Sequence, residues 1–278
     1  MYTLNCKGKL IHIDSPIVMG IINATFDSFY EGHLSQSNHE IVDFAGKMIE
    51  DGASILDIGG QSSRPGSIQI SAEEELERAI PLIELLHQHF PDTLLSVDSF
   101  YSKVAQAAVD AGASIVNDIS AGNMDTAMIE TVASLQVPYI CMHMKGIPAT
   151  MHHQPLYEDV VKEVIEFFID KTTECIKAGI KDVIIDPGFG FGKTMEHNFV
   201  LLKELNSLHI LGKPILAGLS RKSTIYKTLG ITANEALNGT TVLNTLALQN
   251  GASILRVHDV KEAMETVKLF TAYKNAAL

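Results

Sequence analysis

Asp51-Gly52-Ala53-Ser54-Ile55-Leu56-Asp57 decides the fold of this chain, because the sequence keeps returning to it. Ala111-Gly112-Ala113-Ser114-Ile115-Val116-Asn117 and Asn250-Gly251-Ala252-Ser253-Ile254-Leu255-Arg256 follow the same plan, and Ala178-Gly179-Ile180-Lys181-Asp182-Val183-Ile184-Ile185-Asp186 is a longer version. Each copy opens on a glycine suited to the left-handed cap that ends a helix. An apolar run too short for a helix follows, and then a polar residue. Helix, glycine cap, buried strand, polar strand end: repeated, that unit describes a parallel sheet.

Other runs extend the series. Ile17 to Ile22 ends at Asn23, Thr93 to Val97 at Asp98, Val137 to Met142 at His143, and Pro214 to Ala217 leads to Gly218, giving eight strand candidates in all. Helical stretches lie between them: Ser71 to Phe90, with Ser71 and Glu74 spaced for a capping box, Tyr157 to Ala178, and His197 to Leu211. Eight βα repeats over about 250 residues match a TIM (β/α)8 barrel. No linker or low-complexity stretch divides the chain, so residues 1–278 read as a single domain with its core at about 15–275. The alternative is an open doubly wound sheet.

Composition narrows the partners. With 46% hydrophobic residues the chain can bury a large core, and its charge of −12 argues against a nucleic-acid footprint, which needs a basic face. Cys6, Cys141 and Cys175 are widely spaced and read as free thiols of a reducing cytoplasm. The first 25 residues show neither a signal peptide nor a membrane span.

In this acidic chain, cationic residues follow two of the strands directly: Ser220-Arg221-Lys222-Ser223 after the Pro214 run and Arg256-Val257-His258-Asp259 after the Ala252 run. Parallel α/β proteins bind ligands at the C-terminal ends of strands, so the pair predicts an anion site. The remaining strand ends carry Asn23, Asp57, Asp98, Asn117, His143 and Asp186. Burying so many polar groups unpaired would cost several kcal/mol each, which favours a ring converging on one mouth. Asp98, Asn117 and Asp186 suit a flat heterocycle with amidine-like N–H edges, and Lys222 a carbonyl or an anion. Arg256 and His258 suit phosphate oxygens, the bland alternative being a surface ion pair with Asp259 or Glu262. Asn23 beside a diphosphate is a candidate Mg²⁺ ligand, because Mg²⁺ takes few protein oxygens and completes its shell with phosphate and water.

Two long connections, Ala24 to Glu40 and Gly59 to Gly66, read as loops over the mouth. Gly188-Phe189-Gly190-Phe191-Gly192-Lys193 lacks dinucleotide-binding spacing and reads as a loop that lets Phe189 or Phe191 line a pocket. His143, His152 and His153 do not make a zinc cage. Met142, Met144 and Met151 read as pocket or core fillers.

Taken together and in order, these segments resemble the dihydropteroate synthase family. The likeness rests on Met19-Gly20-Ile21-Ile22-Asn23, Asp57-Ile58-Gly59-Gly60, Ser62-Ser63-Arg64-Pro65-Gly66, Ser96-Val97-Asp98-Ser99, Val116-Asn117-Asp118, Met142-His143-Met144-Lys145-Gly146, Asp186 to Lys193, Ser220 to Ser223 and Arg256 to Asp259. The resemblance implies a cytoplasmic, homodimeric enzyme of folate biosynthesis. It would join 6-hydroxymethyl-7,8-dihydropterin diphosphate to p-aminobenzoate with Mg²⁺, releasing pyrophosphate, and be a target of sulfonamides. It further implies that Asp98, Asn117, Asp186 and Lys222 hold the pterin. Asn23 would contact Mg²⁺, and Arg256 and His258 the diphosphate. Ser63, Arg64, Pro65, Phe29, Phe191 and Ser223 would form the aminobenzoate end.

The chain departs from the family pattern in the two loops. Phe26 stands where a proline is usual, Glu31 for Asp, Gln61 for Glu and Ser63 for Thr. These changes motivate a rival reading, a divergent paralogue that binds pterin without catalysis. A pterin-dependent methyltransferase is a second rival, but it does not call for the two cationic segments.

Overall fold

A computed structural model describes residues 1–24, 34–61, 69–146, 151 and 155–276. The chain begins with an antiparallel hairpin, β1 (Tyr2–Cys6) and β2 (Lys9–Ile13), which the repeat pattern did not announce. The repeats then follow as β3 (Ile17–Asn23), α1 (Leu34–Glu50), β4 (Ile55–Gly59), α2 (Ala72–His89), β5 (Leu94–Asp98), α3 (Ser102–Ala111), β6 (Ile115–Asp118), α4 (Met128–Leu135) and β7 (Tyr139–Met142). They continue through α5 (Val160–Ala178), β8 (Val183–Asp186), α6 (Met195–Lys203), β9 (Leu216–Ala217), α7 (Ser223–Leu229), α8 (Leu237–Gln249), β10 (Ile254–Val257) and α9 (Val260–Lys274).

Strands β3 to β10 form one eight-stranded parallel sheet in the order β8-β7-β6-β5-β4-β3-β10-β9. A parallel bridge between Ile185 and Ile215, with Ile185 N–H donating to the Pro214 carbonyl at 3.0 Å, joins the two edges. This is the expected TIM barrel in a single domain, and it rules out the open sheet. The repeated glycines behave as the pattern demanded: Gly52, Gly112, Gly179 and Gly251 all have positive φ, where a Cβ is penalised.

Strand alternation sorts the side chains into two cores. One set faces the helices, with Val18, Leu56, Leu95, Val116, Tyr139, Ile185 and Leu255 packed in the larger apolar cluster. The other faces inward. Met19, Ile55, Leu94, Ile115, Ile140, Ile184, Leu216 and Ile254 supply one residue from each strand to the barrel interior, and Leu4, Cys6 and Ile13 of the hairpin pack onto them from below. Because side chains alternate with period two, Asp57, Asn117, Asp186, Gly218 and Arg256 follow two residues after these interior residues and share their face. In β3 and β5 the site residues Asn23 and Asp98 come one further pair along. Asn23, Gly59, Asp98 and Asn117 are consecutive register partners across four strands. The hairpin is pinned by Asn5 N–H to Asp182 at 2.9 Å and Lys7 to the Val109 carbonyl at 2.7 Å.

Several local expectations need correction. Ser71 caps α2 by accepting from Glu74 N–H at 3.2 Å, but the Glu74 carboxylate turns to Arg78 instead of closing a capping box. The stretch from Tyr157 becomes helical only at Val160, where Asp159 caps it by accepting from Val161 and Lys162 N–H. His197 to Leu211 is a helix that starts at Met195 and ends at Lys203, followed by 3-10 turns over Leu205–Leu211. The first long connection is shorter than Ala24 to Glu40, because α1 starts at Leu34.

Candidate active site

The upper interior is lined by charge, and Asp57 organises it. Its side chain is fully buried, and its Oδ2 accepts from Arg256 Nε at 2.6 Å and from Asn117 Nδ2 at 3.0 Å. Arg256 also donates through Nη2 to Asp98 Oδ2 at 2.6 Å. One guanidinium thus bridges two carboxylates on β4 and β5. Burial depresses the Arg256 pKa, but Asp57 and Asp98 outweigh it and hold the group firmly cationic. Two carboxylates against one cation leave an excess of negative charge. Asp98 absorbs it: burial pushes its pKa up to about 7, and the Asp57 charge adds to the rise against the opposing pull of Arg256.

A second group forms at the ends of β8 and β9. Asp186 Oδ1 accepts from Gly188 N–H at 2.7 Å. A Cβ on Gly218 would lie 3.7 Å from Lys222 Nζ and 3.9 Å from Asp186 Oδ2, which places both charges against the β9 end. Lys222 Nζ donates to the Phe189 carbonyl at 2.5 Å and sits 4.7 Å from the centre of the Phe191 ring, close enough for a cation–π contact. Burial lowers the Lys222 pKa to about 8, with Asp186 opposing. Burial raises that of Asp186, with Lys222 opposing. Of the two phenylalanines expected near a pocket, Phe191 faces the site while Phe189 belongs to the outer core. Phe100, Ile119, Met142 and Met151 pack around Phe191.

His258 turns toward β9, with its Nδ1 3.0 Å from Ser220 Oγ, and its own N–H donates to the same oxygen at 3.2 Å. Ser223 opens α7 and is half-buried beside Lys222. Asn23 is half-buried at the end of β3. Arg221 stands apart: it makes a bidentate pair with Asp259, at 2.8 and 2.7 Å, and donates to the Ala233 and Asn234 carbonyls. The surface pairing considered for Arg256 and His258 therefore belongs to Arg221. Phe29, Ser63, Arg64 and Pro65 lie outside the described residues.

The structure also adds residues that the sequence left without roles. Asp57 was visible only as one strand end among many. Lys193 is buried and donates to the Gly188 and Phe191 carbonyls, at 2.9 and 3.2 Å. Glu75 of α2 lies fully buried under the start of the second loop, where a Cβ on Gly60 would come within 2.8 Å of its Cγ. Burial, aided by Asp98, raises its pKa to about 8. The signal for Asp57 was strand parity. For Glu75 there was none, because an acid in the first turn of a helix looks like an ordinary surface residue.

A barrel whose strand ends bring carboxylates, an amide, an arginine and a lysine together defines a class, and sequence comparison agrees with it. The chain belongs to the pterin binding enzymes, whose family model matches residues 19–258. Within that class it stands with the dihydropteroate synthases, transferases of folate synthesis. The Escherichia coli K12 dihydropteroate synthase is 40% identical over 98% of this chain and 97% of its own length. That of Haemophilus influenzae is 41% identical over 98% and 99%. The crystal structure of the Yersinia pestis enzyme with a sulfonamide drug superposes with a TM-score of 0.92 at 38% identity, covering 99% of this chain and all of that one. The Xanthomonas albilineans enzyme in complex with 7,8-dihydropteroate superposes with a TM-score of 0.88 at 38% identity, over 99% of this chain and 100% of that one.

Proposed function

We propose that this chain condenses 6-hydroxymethyl-7,8-dihydropterin diphosphate with p-aminobenzoate to give dihydropteroate and pyrophosphate. The observation that carries the reading is the shared interior face of Asp98, Asn117 and Asp186, with the Lys222 ammonium close to Asp186 and Asp98. It supports a heterocycle held edge-on by carboxylates and an amide, with an ammonium beside it. Asp98 and Asp186 would receive the pterin's amidine-like N–H groups, and Asn117, oriented by Asp57, would serve a mixed donor–acceptor edge. Arg256 and His258 would hold the diphosphate, with Arg256 kept cationic by the two carboxylates that bridge it. Developing negative charge on the leaving group is then met by fixed positive charge, while the pterin ring delocalises the positive charge left on its methylene. The arylamine attacks that carbon as the C–O bond to the diphosphate breaks, and its proton leaves to the departing pyrophosphate or water. Phe191 and Ser223, with Phe29, Ser63, Arg64 and Pro65, would receive the aminobenzoate.

Mg²⁺ fits this donor set. The ion keeps several waters and takes one or two protein oxygens plus substrate phosphates, and a single amide oxygen from Asn23 beside a bound diphosphate meets that need. No cluster of three acidic, histidine or cysteine side chains offers a protein cage among the described residues. When bound, Mg²⁺ would add charge neutralisation on the departing pyrophosphate.

A homodimer is also proposed. Exposed Phe199 and Val200 of α6, Leu229 of α7, and Val242 and Leu246 of α8 lie on neighbouring helices, an apolar surface suited to a second copy. Light scattering should give twice the 30.3 kDa chain mass. The compartment proposed is the cytoplasm, supported by free buried cysteines at positions 6, 141 and 175. No described helix is long and apolar enough to cross a membrane.

The deciding assay supplies purified protein with Mg²⁺ and both substrates and follows pyrophosphate and dihydropteroate. Lys222→Ala and Arg256→Ala should each lower kcat/KM at least about 100-fold, the scale of a charged contact worth about 3 kcal/mol. Pterin binding without product in the wild type would sink the proposal.

A further inference from the structure

Lys193 is a buried cation beside the site whose ammonium is turned into the backbone. Lys193 Nζ lies 2.9 Å from the Gly188 carbonyl, 3.2 Å from that of Phe191, 3.3 Å from that of His143 and 2.9 Å from His143 Nδ1. Burial, with Lys193 adding to it, holds the His143 pKa down at about 2. The imidazole is therefore neutral, and its Nδ1 faces Lys193. Three carbonyls and one ring nitrogen surround the ammonium as ligands surround a small metal ion. Burial pulls Lys193 itself down to about 7, with Asp186 opposing, while its four acceptors favour the charged form.

These acceptors come from two different strand ends, and the backbone is shaped to bring them together. Gly188 has φ +68, and a Cβ there would fall 1.9 Å from the His143 carbonyl oxygen. Gly192 has φ +60, and its Cβ would fall 2.2 Å from the Lys145 carbonyl oxygen. The turn from Gly188 to Gly192 thus lies backbone against backbone on the segment after β7. Such an approach points carbonyl dipoles at one another, and a cation between them removes the conflict. The same turn makes the contacts that locate the pterin-side charges: the Phe189 carbonyl and the Phe191 ring hold Lys222, and Gly188 N–H holds Asp186.

We propose that Lys193 is a positioning residue, a covalently tethered internal cation that fixes the turn from Gly188 to Gly192 and so sets where Lys222 and Phe191 meet the pterin. The inference rests on the pterin reading given above. It separates that reading from its own test because pterin binding can be measured without turnover.

The test uses Lys193→Ala, which empties the space of the stem and ammonium while leaving every substrate-facing side chain in place. The probe is 6-hydroxymethylpterin, with affinity measured by equilibrium titration and folding followed by thermal unfolding. Affinity should fall about 10- to 100-fold, the scale seen when a residue that orients a metal-ligating side chain is removed. In steady state, KM for the pterin diphosphate should rise by a similar factor while KM for p-aminobenzoate moves less than about threefold. Added n-propylammonium, which matches the deleted atoms, should restore pterin affinity, whereas 1-propanol, its uncharged isostere, should not. Affinity within about twofold of wild type overturns the proposal. So does a loss that propylammonium leaves unrepaired, including a loss of folding, since the tie would then reside in the methylene stem and not in the charge. Failure of the wild type to make product while Lys193→Ala shows the rescued binding loss would sink the catalytic reading and leave this one standing.

Discussion

Asp57→Asn isolates the electrostatic centre of the site, because it keeps the shape of a fully buried side chain and removes its charge. One oxygen remains to accept where Oδ2 does now, and the new amide nitrogen falls at the unpartnered Oδ1 position. Deleting one partner of a buried ion pair costs about 3–5 kcal/mol. Arg256 would keep Asp98 as its counter-charge at 2.6 Å, and repulsion between the two carboxylates would vanish, so about 3 kcal/mol is the expected loss. Unfolding entropy near 2.1 cal/mol/K per residue gives about 0.6 kcal/mol/K for 278 residues, so Tm should drop by about 5 °C. The pH dependence is the sharper signature. The Asp98 pKa stands at about 7, above its ordinary 3.8, through burial first and with Asp57 contributing. A carboxyl raised in the folded state gives stability that is full below its unfolded pKa and fades as pH climbs through the folded one. Wild-type stability from this group should therefore fall between about pH 4 and 7. In Asp57→Asn the Asp98 pKa drops, that fall shrinks, and the deficit narrows as pH rises from 5 to 8. Scanning calorimetry across that range is the assay. An unchanged Tm, or a deficit constant with pH, would refute the assignment of Asp57 as the carboxylate that sets the Asp98 proton.

Two further perturbations probe neighbouring features. Glu75→Gln replaces a buried carboxyl whose pKa burial raises from 4.5 to about 8; by the same sign it should leave Tm near wild type at about pH 4 and exceed it at about pH 8, and equal effects at both pH values in a melting series would refute this. Gly188→Ala should abolish pterin binding or folded yield. Its φ of +68 costs about 1–2 kcal/mol in any L-residue, and its Cβ would also collide with the His143 carbonyl. Gly179→Ala has a comparable backbone penalty but nothing within 4 Å of the new Cβ, so it should stay soluble and active, and parallel measurements of yield and pterin affinity separate strain from collision.

The fold was legible because the repeat is physical. Gly52, Gly112, Gly179 and Gly251 need positive φ to turn each helix into a strand, and the short runs after them alternate between helix-facing and interior residues. That alternation also carried Asp98, Asn117, Asp186 and Arg256 to one interior face. Asp57 shares that parity with Ile55, and reading it as a strand interior residue instead of a strand end would have found its role. Lys193 and Glu75 were not legible. The partners of Lys193 are backbone carbonyls of a turn whose shape is set in three dimensions, and nothing in the residue types Gly188 to Gly192 says that carbonyls converge. The hairpin escaped for a similar reason: ten alternating residues outside the repeat do not say what they cover. The capping box at Glu74 failed because Arg78, one turn on, competes for the same carboxylate.

That hairpin does more than add area to the core. Leu4, Cys6 and Ile13 close the lower end of a cylinder whose next interior layer is Ile55 and its neighbours, and Asp57 stands just two residues above that layer. The unusual proton affinity of Asp98 depends first on burial, and an apolar floor keeps water from reaching that carboxyl from below. The first residues of the chain therefore act as electrical insulation for chemistry performed at the opposite end of the barrel.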